Sequence, residues 1–308
     1  MSMGTPTDHE ASLASLLREI RSIPVVGRRL ADDMNSGGHR STLRGAGIEF
    51  GEVREYVEGD DPRGVDASVS ARMGRLFVKR FIDERERTAL VMLDVGHSMD
   101  CGFGEWSLRD AGIRVMAAMV WSVIENQDRA GLLTFGGDAC RWIEPHKGPA
   151  HFIRLAQWAI AAPQGVANYG LDAGLDLARQ RLTRRSLVVI VTDGIQESNI
   201  SRLARLSARH DVIAVKLLPP ERTMPHLGKI TIRDPRTGRI SEIDTNQQST
   251  RSAWHEAWKV EDDAFMSATR RAGADPVLIP VPSRPDTGLL LAPLVSLFTG
   301  RSTRGVRS

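Results

Sequence analysis

Two aspartates close apolar runs in this chain. In TALVMLDVGHSM, Asp94 follows the run Leu90 to Leu93, and Ser98 lies four residues further on. In SLVVIVTD, Asp193 ends a second run, Val188 to Val191. A short apolar run bounded by turn-forming residues reads as a buried strand, so both carboxylates are expected at strand ends. Open parallel sheets bind ligands beyond the carboxyl ends of their strands, and the two acids face one crevice if their strands are neighbours. Carboxylates and a serine hydroxyl are the oxygen donors that hard divalent cations such as Mg²⁺ or Mn²⁺ select.

The same segment outlines a second chemistry. GHSMD approximates the nucleophile elbow G-x-S-x-G of serine hydrolases, with Ser98 as nucleophile. Asp193 is followed by His210, His226 and His255, in the chain order Ser, Asp, His. Asp100, however, stands where the elbow needs a second glycine, at a point where strand and helix crowd together. An elbow also follows several strands, and the residues before Ala89 offer one short β-like run. His97 by itself reads as a loop or surface histidine. Serine hydrolysis is therefore the alternative reading. Nucleotide chemistry is disfavoured, because neither a Walker A loop nor a G-x-G-x-x-G after a strand is present.

The elements that must position these residues follow a βα rhythm from about Ala89, the pattern of a mainly parallel buried sheet. Five strands are predicted, at 88–94, 130–135, 139–144, 186–193 and 211–218, with a sixth at 276–281. The turn Gly136 to Asp138 is too short for a crossover, so the third strand should pair antiparallel with the second, at an edge. Helices are predicted over 107–125, where Val115, Met116, Met119, Val120 and Val123 share one face, and over 170–182. The run GKITIRDPRTGRISEIDT holds two β-rich stretches around DPRTG, which predicts a hairpin insertion at about 228–245. The expected organisation is an N-terminal helix and extension over 1–86, an α/β domain over 87–300, and a disordered tail over 301–308. Residues 10–34 read as helical, and 55–72 as turn-rich and charged.

Hydrophobic residues make up 41% and charged residues 26% of the chain, values of a globular protein. The first thirty residues contain no apolar signal segment and no run is long enough to span a membrane, so a cytoplasmic location is expected. Cys101 and Cys140 are too few for a disulfide framework and match no zinc spacing. The basic residues are scattered and aromatic residues are only 5%, which argues against nucleic-acid binding despite the +3 net charge.

The strand-end residues resemble the von Willebrand factor A superfamily, whose metal-ion-dependent adhesion site uses D-x-S-x-S on the first strand, a Thr on a later loop and an Asp after a middle strand. Asp94, Ser98 and Asp193 fill three of these five positions, and Gly96 stands where the first Ser belongs. ANYGLDAGLDLA aligns with the family's GGT-x-L-x-x-x-L and puts Tyr169 at the Thr position. The resemblance implies an α/β fold with a mainly parallel sheet flanked by helices. It also implies a degenerate metal site, since two missing donors weaken Mg²⁺ binding. The partner-binding loops would carry Gly96, His97, Asn168 and Tyr169.

The segment before the first strand sharpens this. Residues 47–94 are similar to the signature G-x-E-F-x-x-x-R-x-Y-x-x-G-D-D-x-R-x-I-D-W-x-x-x-A-R of the bacterial domain-of-unknown-function family fifty-eight. Glu49, Phe50, Arg54, Tyr56, Gly59, Asp60, Asp61, Arg63, Asp66, Ala71 and Arg72 match, and Ala67 replaces the Trp. Glu49, Arg54, Asp60, Asp61, Arg63, Asp66 and Arg72 suit an ion-pair network that would lock the segment in place, because Arg binds carboxylates bidentately. Asp60 and Asp61 are alternatively a turn with a helix-capping acid. The resemblance implies a non-enzymatic protein-binding adaptor that works with a MoxR-type AAA+ ATPase in the maturation or assembly of a client enzyme complex.

Overall fold

The computed structural model describes residues 6–21, 49–57, 65–82, 87–102, 104–163, 170–223, 226–233 and 238–305. Two compact units divide the chain, one of residues 1–37 and 87–308 and one of residues 38–86.

The larger unit is built on six strands, β3 (Thr88–Asp94), β4 (Arg129–Phe135), β5 (Arg141–His146), β6 (Leu187–Thr192), β7 (Asp211–Leu218) and β10 (Asp275–Pro280). Their order is β10-β7-β6-β3-β4-β5. All neighbours are parallel except β4 and β5, which pair antiparallel at the edge, as the short connection 136–140 requires. The sequence places β5 two residues early, because Cys140 and Ala139 extend its apolar run into the turn.

Alternation along each central strand feeds two cores. Val91, Leu93, Val189, Val191, Val215 and Leu217 face one side. That side is covered by α3 (Leu108–Glu125), α4 (Pro149–Ala161) and α8 (Thr287–Gly305). Leu90, Met92, Val188, Ile190 and Val212 face the other, under α5 (Leu171–Arg181) and α6 (Ile200–Ser207). A sheet covered on both faces explains why its strands read as continuous apolar runs. The helix α3 begins at a capping box in which Ser107 Oγ accepts from the Asp110 amide and Asp110 accepts from the Ser107 amide. Between β7 and the 24-residue α7 (Gln248–Arg271) stands the expected hairpin, β8 (Lys229–Arg233) against β9 (Ile240–Asp244).

The N-terminal helix α1 (Pro6–Arg21) ends well short of residue 34, and 22–48 lie outside the described residues. The sequence groups this helix with the segment that follows it, whereas Leu16 and Ile20 lie in the core of the larger unit. Glu19 receives Arg114 Nε at 2.8 Å from α3 and Thr287 Oγ1 at 3.1 Å from α8. The predicted disordered tail is also corrected, since α8 continues to Gly305. Arg301 pairs with Asp211 and Asp275 at the starts of β7 and β10, which holds the last turns.

In the smaller unit β1 (Glu49–Glu55) pairs antiparallel with β2 (Phe77–Ile82), so two strands rather than one precede Ala89. The turn-rich reading of this stretch missed α2 (Ala67–Met73). Asp66 caps that helix, accepting from the amides of Ser68 and Val69 at 2.9 and 3.1 Å.

Candidate functional site

The pairing of β3 with β6 runs from Ala89 with Leu187 to Leu93 with Val191, which sets Asp94 level with Thr192 and next to Asp193 at one rim. Asp94 is 8% exposed, and both its oxygens accept protein donors. Oδ1 takes the Gly96 amide at 2.8 Å and Oδ2 takes the Thr192 hydroxyl at 2.8 Å. Thr192 is itself 1% exposed. Buried carboxylates persist only when hydrogen-bonded in this way.

Gly136, leaving β4, closes the other side. A β-carbon there would lie 2.4 Å from Asp94 Oδ1 and 2.7 Å from the Gly96 nitrogen, and its φ of +87° already favours glycine. At Gly96 a β-carbon would lie 3.1 Å from Asp94 Oδ1 and 3.3 Å from the Gly136 carbonyl oxygen. The glycine that replaces a serine in the adhesion-site pattern therefore brings no oxygen, and its surroundings leave a serine no room without a shift.

Ser98 sits in a 3₁₀ turn, His97–Asp100, between β3 and α3. This turn is held by Arg109, a buried guanidinium on the first turn of α3. Its Nε donates to Asp100 Oδ1, Nη1 to the Ala162 carbonyl and Nη2 to the Val95 carbonyl, each at 2.9 Å. One side chain thus joins the exit of β3 to the exit of α4. His97 is exposed, with Nδ1 3.7 Å from Asp100 Oδ2. On the far side of the rim, α5 and α6 are tied by Arg202, which reaches Asp172 at 2.8 Å and Asp176 at 3.1 Å.

Three acids surround Cys101 at this edge. Partial burial pushes its thiol up, and the charges of Asp100, Asp193 and Glu221 push it further. Asp100 Oδ2 and Glu221 Oε2 are buried and accept no hydrogen bond among the described residues. Such acceptors are costly to leave unmet, so they suit an incoming donor.

The described residues offer few free oxygen donors to a hard divalent cation. Both Asp94 oxygens already accept protein donors, and position 96 brings no side-chain oxygen. Mg²⁺ demands near-ideal octahedral oxygen ligation. Among the described residues no cluster of three or more His, Cys, Asp or Glu side chains is placed to hold a metal ion.

The hydrolase constellation is not assembled. Ser98 lacks the strained backbone of an elbow, since Gln127 is the sole described non-glycine residue with positive φ. His210 precedes β7, level with the start of β3, about 20 Å of strand away from the Asp94 rim. His226 lies at the foot of the hairpin beside Arg251, and His255 is exposed on α7.

Asn168 and Tyr169 lie outside the described residues, as do Asp60, Asp61 and Arg63 and the side chains of Glu49 and Arg54. Asp66 is a helix cap, and Arg72 is exposed on the helix it caps. Sequence reasoning missed Thr192, Arg109, Gly136 and Glu221. Thr192 had a signal in its place beside Asp193, and Arg109 in being a cation on the first turn of a helix whose middle is apolar.

The pattern of the family described as "Protein of unknown function DUF58" matches residues 52–264. Among curated proteins, an uncharacterised protein of Mycobacterium tuberculosis and one of Mycobacterium bovis are each 29% identical over 233 residues, spanning 74% of this chain and 73% of theirs. Among solved structures, the SpRpn10 VWA domain matches with TM-score 0.39 and 14% identity, over 69% of this chain and 95% of that one. A von Willebrand factor type A protein from Catenulispora acidiphila matches with TM-score 0.34 and 10% identity, over 70% of this chain and 43% of that one.

Proposed function

Because this chain belongs to the DUF58 family and has an α/β fold of the von Willebrand factor A type, we propose that it is a cytoplasmic, non-enzymatic protein-binding adaptor. Its partner surface is the carboxyl-end rim around Asp193, Ser98 and His97, together with the loop that carries Asn168 and Tyr169. The carrying observation is the state of Asp94, a carboxylate turned inward to brace the rim while the acids around Cys101 remain at its edge. A rigid sheet that presents loops at one edge is the general architecture of a recognition surface. No described helix is long and apolar enough to cross a membrane.

The partner in this reading is a MoxR-type AAA+ ATPase, and the joint task is chaperone-like maturation or assembly of a client enzyme complex. Contact is made by side chains directly, in place of the metal-bridged carboxylate of adhesion sites. Co-purification with a MoxR-type AAA+ ATPase from the same organism tests the reading. A complex that weakens in Asp193→Ala with His97→Ala supports it, and no complex in any nucleotide state removes it. Calorimetric titration with Mg²⁺ and Mn²⁺ tests the mode of contact. A saturable isotherm abolished by Asp193→Ala would restore a cation to the site.

A further inference from the structure

Lys216 lies within β7 at 1% exposure, in register with Thr192. Its ammonium is met from α7 by Glu261 Oε1 and Asp262 Oδ1, each at 3.1 Å. Asp262 turns its second oxygen to Arg222, in the short helical turn Pro220–Arg222 that follows β7. Arg222 also donates to the Trp258 carbonyl at 3.0 Å and stacks over the Trp258 ring. Trp254 Nε1 donates to the carbonyl of Glu221 at 3.1 Å. The turn is thus fastened to α7 at two points, and a single carboxylate links that fastening to a cation buried in the sheet.

Glu221 is what the turn delivers. Its Oε1 lies 3.9 Å from where a β-carbon of Gly102 would stand, and Pro220 Cγ lies 3.5 Å from that of Gly104. Glu221 therefore borders the loop that continues from Ser98.

We propose that Asp262 is a positioning residue for the rim, acting through Arg222 to hold Glu221 against the Cys101–Gly104 loop and so extend the partner surface onto the start of the insertion. A buried lysine and a neighbouring arginine each need a counter-charge, because each charge is costly once removed from water. Asp262 bridges the two and Glu261 meets Lys216 alone. The functional meaning of this placement rests on the rim being the partner surface, whereas the placement itself is measurable without any partner.

Cys101 is the reporter, since Glu221 is one of the charges that disfavour its thiolate. Cys140, half-buried at the edge of β5 and raised by burial alone, is the internal reference. The intact chain is alkylated with iodoacetamide at pH 8 and each cysteine peptide is followed by mass spectrometry. Glu221→Gln is expected to raise the Cys101 rate about three-fold, because removing one of the charges that disfavour the thiolate raises the fraction that reacts. Asp262→Asn is expected to match it and Asp262→Glu to restore the original rate. The double variant Asp262→Asn with Glu221→Gln should be no faster than either alone. Wild-type Cys101 kinetics in Asp262→Asn or in Glu221→Gln overturns the proposal, as does equal acceleration of Cys140. Loss of the ATPase complex would reject the adaptor reading and leave these rates unchanged.

Discussion

Substituting Gly136 tests the closure around Asp94, and the fold contains its own control. Gly136 and Gly148 stand on either side of β5, both at positive φ, +87° and +91°. A non-glycine residue held at such a positive φ costs about 1–3 kcal/mol, so both variants carry a backbone term. A β-carbon at Gly148 meets nothing within 4 Å, whereas at Gly136 it lies 2.4 Å from Asp94 Oδ1. Relieving such an overlap in a packed interior costs about 1–3 kcal/mol more. Gly136→Ala is therefore expected to lose about 2–6 kcal/mol against about 1–3 kcal/mol for Gly148→Ala. Urea unfolding followed by tryptophan fluorescence reads both, with the slope compared to show that the exposed surface on unfolding is unchanged. Equal losses in the two variants would refute the reasoning, because the backbone term alone would then account for Gly136 and Asp94 would have room.

Thr192→Val removes the hydroxyl that Asp94 Oδ2 accepts, and should cost about 1–3 kcal/mol in the same assay while Thr192→Ser costs less. With a small chromogenic ester, Ser98→Ala should match the parent chain, and any Ser98-dependent turnover would revive hydrolysis. His210 is 3% exposed; burial, then Arg209 and Arg185, push its imidazole below the ordinary 6.5. The unfolded chain takes up that proton first, so stability holds above about pH 6.5 and falls as pH drops from there toward the folded value, by at most about 1.4 kcal/mol per pH unit. His210→Gln should flatten the unfolding free energy between pH 7 and 5, with His151, also lowered by burial, keeping part of the slope. An unchanged slope would count against a neutral buried His210.

What the chain declares locally is what local physics controls. The apolar runs ending in Asp94 and Asp193 mark buried strands without reference to anything distant, and the short connection after Phe135 forces an antiparallel edge because so few residues cannot form a crossover. The hairpin was likewise written in DPRTG and its flanking β-rich runs. Helix α2 was obscured by the charged turn residues before it, although Asp66 carried the capping signal.

Tertiary structure alone decided which groups those aspartates meet. The donors to Asp94 are Gly96 and Thr192, the latter 98 positions away, and only the β3–β6 register brings that hydroxyl within reach. Lys216 interrupts an apolar strand for a reason that appears only when α7 lays Asp262 across it. The assignment of α1 to the larger unit depends on Glu19 finding Arg114 and Thr287. Periodicity reports which face of an element is apolar, but hydrogen bonds and ion pairs between distant segments depend on register and packing that no local pattern encodes.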